Sequence, residues 1–144
     1  MAKQQVYWED VQKGQEIPGY ELECTPSLVV KQVSGSQDFY EVHHDQEFAR
    51  GGGHADIFLN TGFTRAALAR MLTDWAGDKG WLRRLRIEMR RMNRPGDVLR
   101  MRGKVIGKEV RNGERCVDLE VWVENDREGI TTPSQATVIL PSRN

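Results

Sequence analysis

Residues 60–77 read NTGFTRAALARMLTDWAG and carry the clearest helical pattern in the chain. Asn60 or Thr61 offers a capping oxygen at the start, and Gly77 offers a natural stop. Phe63, Ala66, Ala67, Met71 and Leu72 recur at helical spacing, with Arg65, Arg70 and Asp74 on the other side. The fold depends on what surrounds this helix.

Downstream, the periodicity changes from helical to alternating. In LRIEMRR, Leu85, Ile87 and Met89 alternate with Arg86, Glu88 and Arg90. In DVLRMRGKVIG, Leu99, Met101 and Val105 alternate with Arg100, Arg102 and Lys104, and in RCVDLEVWVEN, Val117, Leu119, Val121 and Val123 share one face. SQATVILP closes the chain, and Asn112-Gly113 marks a tight hairpin. Upstream, the sequence to about Gly19 reads as an irregular lead-in closed by Pro18-Gly19, and GYELECT reads as a short strand. TPSLVVKQVSGS carries β-branched residues suited to a strand. Its Thr25-Pro26 start favours a short helix that stops at Ser34-Gly35.

One long helix followed by an antiparallel meander with a single apolar face predicts a sheet wrapped around that helix. This is an α+β chain of the hotdog architecture, a single domain over residues 1–144. A lone hotdog leaves a sheet edge open, so pairing is expected, with an identical chain or a related one.

Composition narrows the function. Lys+Arg and Asp+Glu balance at 21 each, which argues against a nucleic-acid partner. No window approaches the ~18 apolar residues of a membrane span, and the N-terminal sequence lacks the apolar core of a secretory signal. Cys24 and Cys116 show no metal-type spacing and read as free thiols of a cytoplasmic protein.

All three histidines fall within QDFYEVHHDQEFARGGGHADIFLN, residues 37–60. Asp38 and His43 are five residues apart in a short irregular loop before the long helix, close enough to converge on one water as an acid–base pair. His44 and Asp45 read as residues that cap and tie the turn entering DQEFAR. His54 follows the glycine run at the mouth of the pocket, and Gly51–Gly53 read as a rim loop, since no P-loop lysine follows. The histidines lack the i, i+4 spacing of a helical metal site, so no metal is expected.

These residues resemble the MaoC-like, (R)-specific enoyl-CoA hydratase family, whose signature runs roughly G-D-x-N-P-[IL]-H-x-D-x-x-x-A. DFYEVHHDQEFA places Asp38 at the family's catalytic Asp and His43 at its catalytic His, with Asp45 and Ala49 at further fixed positions. The chain departs at Tyr40 and Glu41, where the family has Asn-Pro. It departs again at Ser36-Gln37 before the Asp, and at Asn60-Thr61 in place of a His-Gly pair. Together, DFYEVHHD, DIFLN and TDWAG are similar to the small MaoC-like subunit of the enoyl-CoA hydratases of bacterial sterol side-chain degradation, over about Thr25 to Lys108.

The resemblance implies hydration of a trans-2-enoyl-CoA, with a bulky or steroidal acyl group, beside a second MaoC-like chain. It implies no cofactor, coenzyme A being part of the substrate. Negative charge on the thioester oxygen requires hydrogen-bond donors, and the long helix offers the N–H groups of Thr61 and Gly62. Gly62 also reads as a small residue for close packing. The resemblance turns Asn60 to the same pocket, as a donor or simply as the helix cap. RRLRIEMRRMNR carries six Arg, mostly an exposed strand face with some side chains available to coenzyme A phosphates. Trp75 and Trp81 read as core, or as the wall of an apolar tunnel. A hotdog acyl-CoA thioesterase and a non-catalytic acyl-binding subunit are the alternative functions, and the Asp-x4-His spacing favours the hydratase.

Overall fold

The computed structural model describes residues 4–144. A short 3₁₀ turn at Trp8–Asp10 leads into β1 (Glu16–Glu23), then α1 (Pro26–Ser36), a second 3₁₀ turn at Glu41–His43, α2 (Gln46–Gly51) and α3 (Thr61–Ala76). Four strands follow: β2 (Trp81–Ile87), β3 (Val98–Arg111), β4 (Glu114–Asn125) and β5 (Gly129–Ile139). All pairings are antiparallel, and the order across the sheet is β1-β3-β4-β5-β2. Only β3-β4-β5 is a meander. β2 leaves the helix to pair with β5, because β1 already occupies the free edge of β3.

The sheet wraps α3 because one face of it is mostly apolar. Leu99, Met101, Val105, Val117, Leu119, Val121, Val123 and Val138 are fully or almost fully buried and form one cluster with Leu68, Met71, Leu72 and Trp75 of the helix. Register shifts in all four strand pairs, β1–β3, β2–β5, β3–β4 and β4–β5, supply the local twist that closes the sheet around the helix. Truncating a buried Leu such as Leu68 to Ala would cost about 2–5 kcal/mol.

Several sequence expectations need correction. The strand read as GYELECT begins at Glu16 and runs through Pro18-Gly19, which form a bulge between Ile17 and Tyr20. This edge strand tolerates a proline because its outer N–H groups pair with nothing. α1 extends to Ser36 and ends on Gln37 in the left-handed region, φ 58°. The buried stripe of α3 is Thr64, Ala67, Leu68, Met71, Leu72 and Trp75, whereas Ala66 is exposed. Trp75 is core, while Trp81 lies on edge strand β2 with 65% of its surface exposed, so it belongs to neither core nor tunnel. The hairpin at Asn112-Gly113 has positive φ at both residues (51° and 79°), as a two-residue turn between twisted strands requires. Among the described residues, no helix is long and apolar enough to cross a membrane.

Candidate active site

The left-handed Gln37 turns the chain back on itself after α1, presenting Asp38 to the start of α3. The 3₁₀ turn Glu41–His43 then carries His43 inward until only 6% of it is exposed, so His43 sits in ordered backbone rather than an irregular loop. Asp45 caps α2, accepting from the Phe48 N–H at 3.0 Å. His44 Nε2 contacts the Phe39 carbonyl at 3.0 Å. Both therefore tie the loop, as their positions suggested.

His43 Nε2 lies 3.3 Å from Asp38 Oδ2, and His43 Nδ1 lies 2.8 Å from the Phe58 carbonyl oxygen. A carbonyl only accepts, so Nδ1 carries a proton. Nε2 then faces a carboxylate oxygen, and the contact is favourable only with a proton between them. Phe58 and Tyr40 frame the imidazole edge-on, with ring centroids 5.0 and 6.2 Å away.

Asn60 joins this pair to the central helix. Its Oδ1 accepts from the Phe63 N–H at 2.7 Å, capping α3. That bond fixes which end of the amide is which. Nδ2 therefore donates to Asp38 Oδ2 and to Ser36 Oγ, each at 3.0 Å. Its backbone N–H donates to Gln32 Oε1 at 3.2 Å. The expectations of cap and side-chain donor both apply, but the recipient of the donated bond is Asp38.

Capping satisfies Phe63 and leaves the Thr61 and Gly62 N–H groups, the first two of α3, without an intrahelical acceptor. Both residues line a cavity of about 250 Å³ together with Asp38, His43, Asn60 and Phe58. Tyr40, Val42 and Met89 complete its wall. A Cβ built on Gly62 would meet only Asn60 Oδ1, at 3.5 Å, so the glycine is not required by packing. All five residues singled out in the sequence thus meet at one cavity. Ser36, Phe58 and Met89 were not anticipated: they act through backbone or through contacts distant in sequence, for which the motif holds no signal.

His54 and Gly53 sit elsewhere than expected. They line a neighbouring recess on the far side of Phe58, whose ring contacts His54 at 4.7 Å. A larger cavity, about 530 Å³, lies among β2, β4 and β5, lined by residues such as Arg86, Glu88 and Trp122, and no histidine lines it. Among the described residues, no group of three or more His, Cys, Asp or Glu could hold a metal ion.

No family model matches the chain. Over 76 residues, 53% of its length, it is 30% identical to the 3-oxo-4,17-pregnadiene-20-carboxyl-CoA hydratase beta subunit of Mycobacterium tuberculosis. The match spans 59% of that relative's length. The crystal structure of the ChsH1–ChsH2 complex from the same organism superposes with a TM-score of 0.81 at 24% identity, covering 90% of this chain and 98% of that one. A MaoC-like dehydratase from Rhodospirillum rubrum superposes with a TM-score of 0.81 at 20% identity, covering 96% and 99%. The fold is the hotdog shared with these solved structures. Within this hotdog, the Asp38–His43 pair lies against the N-terminus of the central helix.

Proposed function

We propose that the chain is the catalytic hotdog of an enoyl-CoA hydratase, a hydro-lyase that adds water across the double bond of a trans-2-enoyl-CoA. The observation that carries this reading is the Asp38–His43 pair, 3.3 Å apart, held beside the Thr61 and Gly62 N–H groups that begin α3. Asp38 and His43 are the catalytic residues. Thr61 and Gly62 bind the substrate through their backbone, and Asn60 serves the site by holding Asp38.

The chemistry follows from this arrangement. The thioester oxygen docks on the Thr61 and Gly62 N–H groups, where the helix dipole favours negative charge. A water sits between Asp38 and the β-carbon. Asp38 Oδ1 accepts only a long 3.5 Å bond from the Tyr40 N–H and is free to take a proton from the water. The water oxygen bonds to the β-carbon, and the electron pair of the double bond moves toward the α-carbon and thioester oxygen. The imidazolium Nε2–H gives its proton to the α-carbon. The proton on Asp38 then passes to His43, restoring the pair. The reaction consumes one water and needs no cofactor, coenzyme A being part of the substrate.

The named relative acts on a steroid-derived acyl-CoA, and a bulky acyl group of this kind is the substrate proposed here. A cavity of about 250 Å³ is below the ~300–1,000 Å³ usual for ligand sites. The exposed rings of Phe39, Tyr40 and Phe48 flank the dyad segment. Both features support a second MaoC-like chain, identical or related, that completes the pocket. Two free buried cysteines, Cys24 and Cys116, fit a cytoplasmic setting.

The test is hydration of crotonyl-CoA and of a steroid-derived enoyl-CoA, with and without a co-expressed MaoC-like partner. Loss of enoyl absorbance without thiol release supports the hydratase. Thiol release without hydration replaces it with a thioesterase.

A further inference from the structure

Across Phe58 from the dyad, Arg90, Arg91, Arg94 and Arg127 line a second recess of about 220 Å³. Its carboxylates are Asp56 and Glu128. In a chain whose charges balance at 21 against 21, four guanidinium groups at one small recess are a marked concentration. We propose that this recess binds the phosphate groups of the substrate's coenzyme A handle, with Arg91 and Arg94 as the binding pair. The source of the phosphate rests on the acyl-CoA reading above; the anion site itself rests on the recess.

The ion pairs decide which arginines are available. Arg127 is committed to Asp97, through Nε to Oδ1 at 3.1 Å and Nη2 to Oδ2 at 2.8 Å. Arg90 is paired with Glu88 at 3.1 Å. Arg91 approaches Glu128 only at 3.7 Å, and Arg127 competes for that carboxylate. Arg94 has no carboxylate within ion-pair distance among the described residues and feels that of Asp97 only at longer range. Asp56 makes no ion pair with these arginines among the described residues: its Oδ1 accepts from Gln46 Nε2 at 3.0 Å and from the Ile57 N–H at 2.8 Å. Arg91 and Arg94 are therefore the two guanidinium groups of the recess least closely held by a carboxylate.

The backbone beneath both side chains is fixed. The N–H groups of Arg90 and Arg91 donate to the Thr131 carbonyl at 2.9 and 3.1 Å. Between the two arginines, Asn93 is fully buried, with its side chain bonded to Thr131 and Asn125. The Arg94 N–H donates to Asp97 Oδ2 at 2.9 Å, and the Asp97 N–H returns a bond to the Arg94 carbonyl at 3.1 Å. Two planar guanidinium forks on an anchored strut match the oxygens of a phosphate ester or diphosphate. The Leu59 N–H also donates to the Asn93 carbonyl, at 2.9 Å, which joins the strut to the segment carrying Phe58 and Asn60. One ligand can thus reach from the recess toward the dyad cavity around Phe58, which lines both.

Calorimetric titration of the purified chain, with any co-purifying partner, tests the proposal using coenzyme A, pantetheine and inorganic phosphate as probes. Arg91→Ala/Arg94→Ala is expected to weaken coenzyme A binding at least about tenfold. Pantetheine, which lacks phosphate, should bind both proteins equally, and wild-type affinity for coenzyme A should fall with added salt. Equal coenzyme A affinity in wild type and double variant overturns the proposal, as does a wild type that binds no coenzyme A. Inorganic phosphate that binds at the recess and is not displaced by coenzyme A also overturns it, in favour of another phosphate ligand. If coenzyme A binding depends on the arginine pair but no enoyl-CoA is hydrated, the recess stands and the hydratase reading fails. If hydration proceeds with unchanged KM in the double variant, the recess fails and the hydratase reading stands.

Discussion

The imidazole Nδ1 of His43 lies 2.8 Å from the main-chain carbonyl oxygen of Phe58. This one bond commits Nδ1 to donation and leaves Nε2 turned to Asp38. It also ties the Glu41–His43 turn to the stretch that leads into α3.

His43→Ala and Asp38→Asn are each expected to lower hydration at least about a hundredfold, as for a positioned acid or base. Their stabilities should differ. Asp38 is 40% exposed, so its amide variant should melt close to wild type. His43 is buried, and its loss leaves the Phe58 carbonyl unsatisfied, at about 1–3 kcal/mol. Steady-state rates and thermal melts of both variants check this, and wild-type turnover in either would remove the dyad from the mechanism.

Asn60→Ser separates the two jobs of Asn60. Serine still caps α3, so the helix should lose only a few tenths of a kcal/mol. Its shorter side chain cannot reach Asp38 while capping Phe63. The expected result is a kcat lowered at least about tenfold with KM little changed, because the lost bond orients Asp38 rather than substrate. A raised KM at constant kcat would make Asn60 a substrate-binding residue instead.

Gly62→Val probes the helix N-terminus. A Cβ at this position makes only an ordinary contact, and a β-branched residue in the first turn costs a few tenths of a kcal/mol. Melting should therefore barely change. The branched side chain would project into the cavity beside the Thr61 and Gly62 N–H groups, and kcat/KM is expected to drop at least about tenfold. Full activity would show that the thioester oxygen binds elsewhere.

Much of this site was legible in the sequence because its chemistry is local. Asp38 and His43 lie within one turn-forming segment, and Asn60, Thr61 and Gly62 begin a helix whose cap is written in its first residues. The central helix, the three-strand meander and the Asn112-Gly113 turn follow from periodicity and backbone preference alone. What stayed hidden depends on long-range pairing. No local pattern sends β2 past β4 to pair with β5, or turns Trp81 out at the sheet edge. The same holds for His54, which the nearby Phe58 ring separates from the dyad, and for the Phe58 carbonyl, a backbone group with no sequence signature.

Asp97 and Arg127 anchor the loop after β2. Burial alone would raise the Asp97 carboxyl, but the Arg127 guanidinium and the Arg94 N–H outweigh it and hold Asp97 below the ordinary carboxylate range. A lowered folded-state value contributes stability that is complete above about pH 4, the unfolded range, and is lost as pH falls through the folded value. Arg127→Met is expected to cost about 2–4 kcal/mol at neutral pH, discounted for the partial exposure of the arginine. Asp97→Asn should flatten the acid side of the stability–pH curve. Denaturant titrations across pH 2–7 measure both, and an unchanged acid limb in Asp97→Asn would assign the acid loss of stability to other carboxylates.

The last prediction concerns pairing. The dyad cavity, at about 250 Å³, is too small for a steroid-derived acyl group together with pantetheine. The aromatic side chains near it, Phe39 and Tyr40, are 60% and 56% exposed. The edge strand β2 presents unpaired backbone groups and an exposed Trp81. Sheet edges and exposed rings of this kind are normally covered, and a second hotdog laid along this side would cover both while enlarging the pocket. Light scattering is therefore expected to give a mass of at least two chains at micromolar concentration. Trp81→Lys tests whether pairing runs through β2: a charge at the exposed edge should shift the chain toward monomer without disturbing the α3 core. Hydration of the bulky substrate should fall with pairing, while crotonyl-CoA, which needs less of the pocket, should be affected less. A stable monomer with full activity on both substrates would show that one hotdog encloses its substrate unaided.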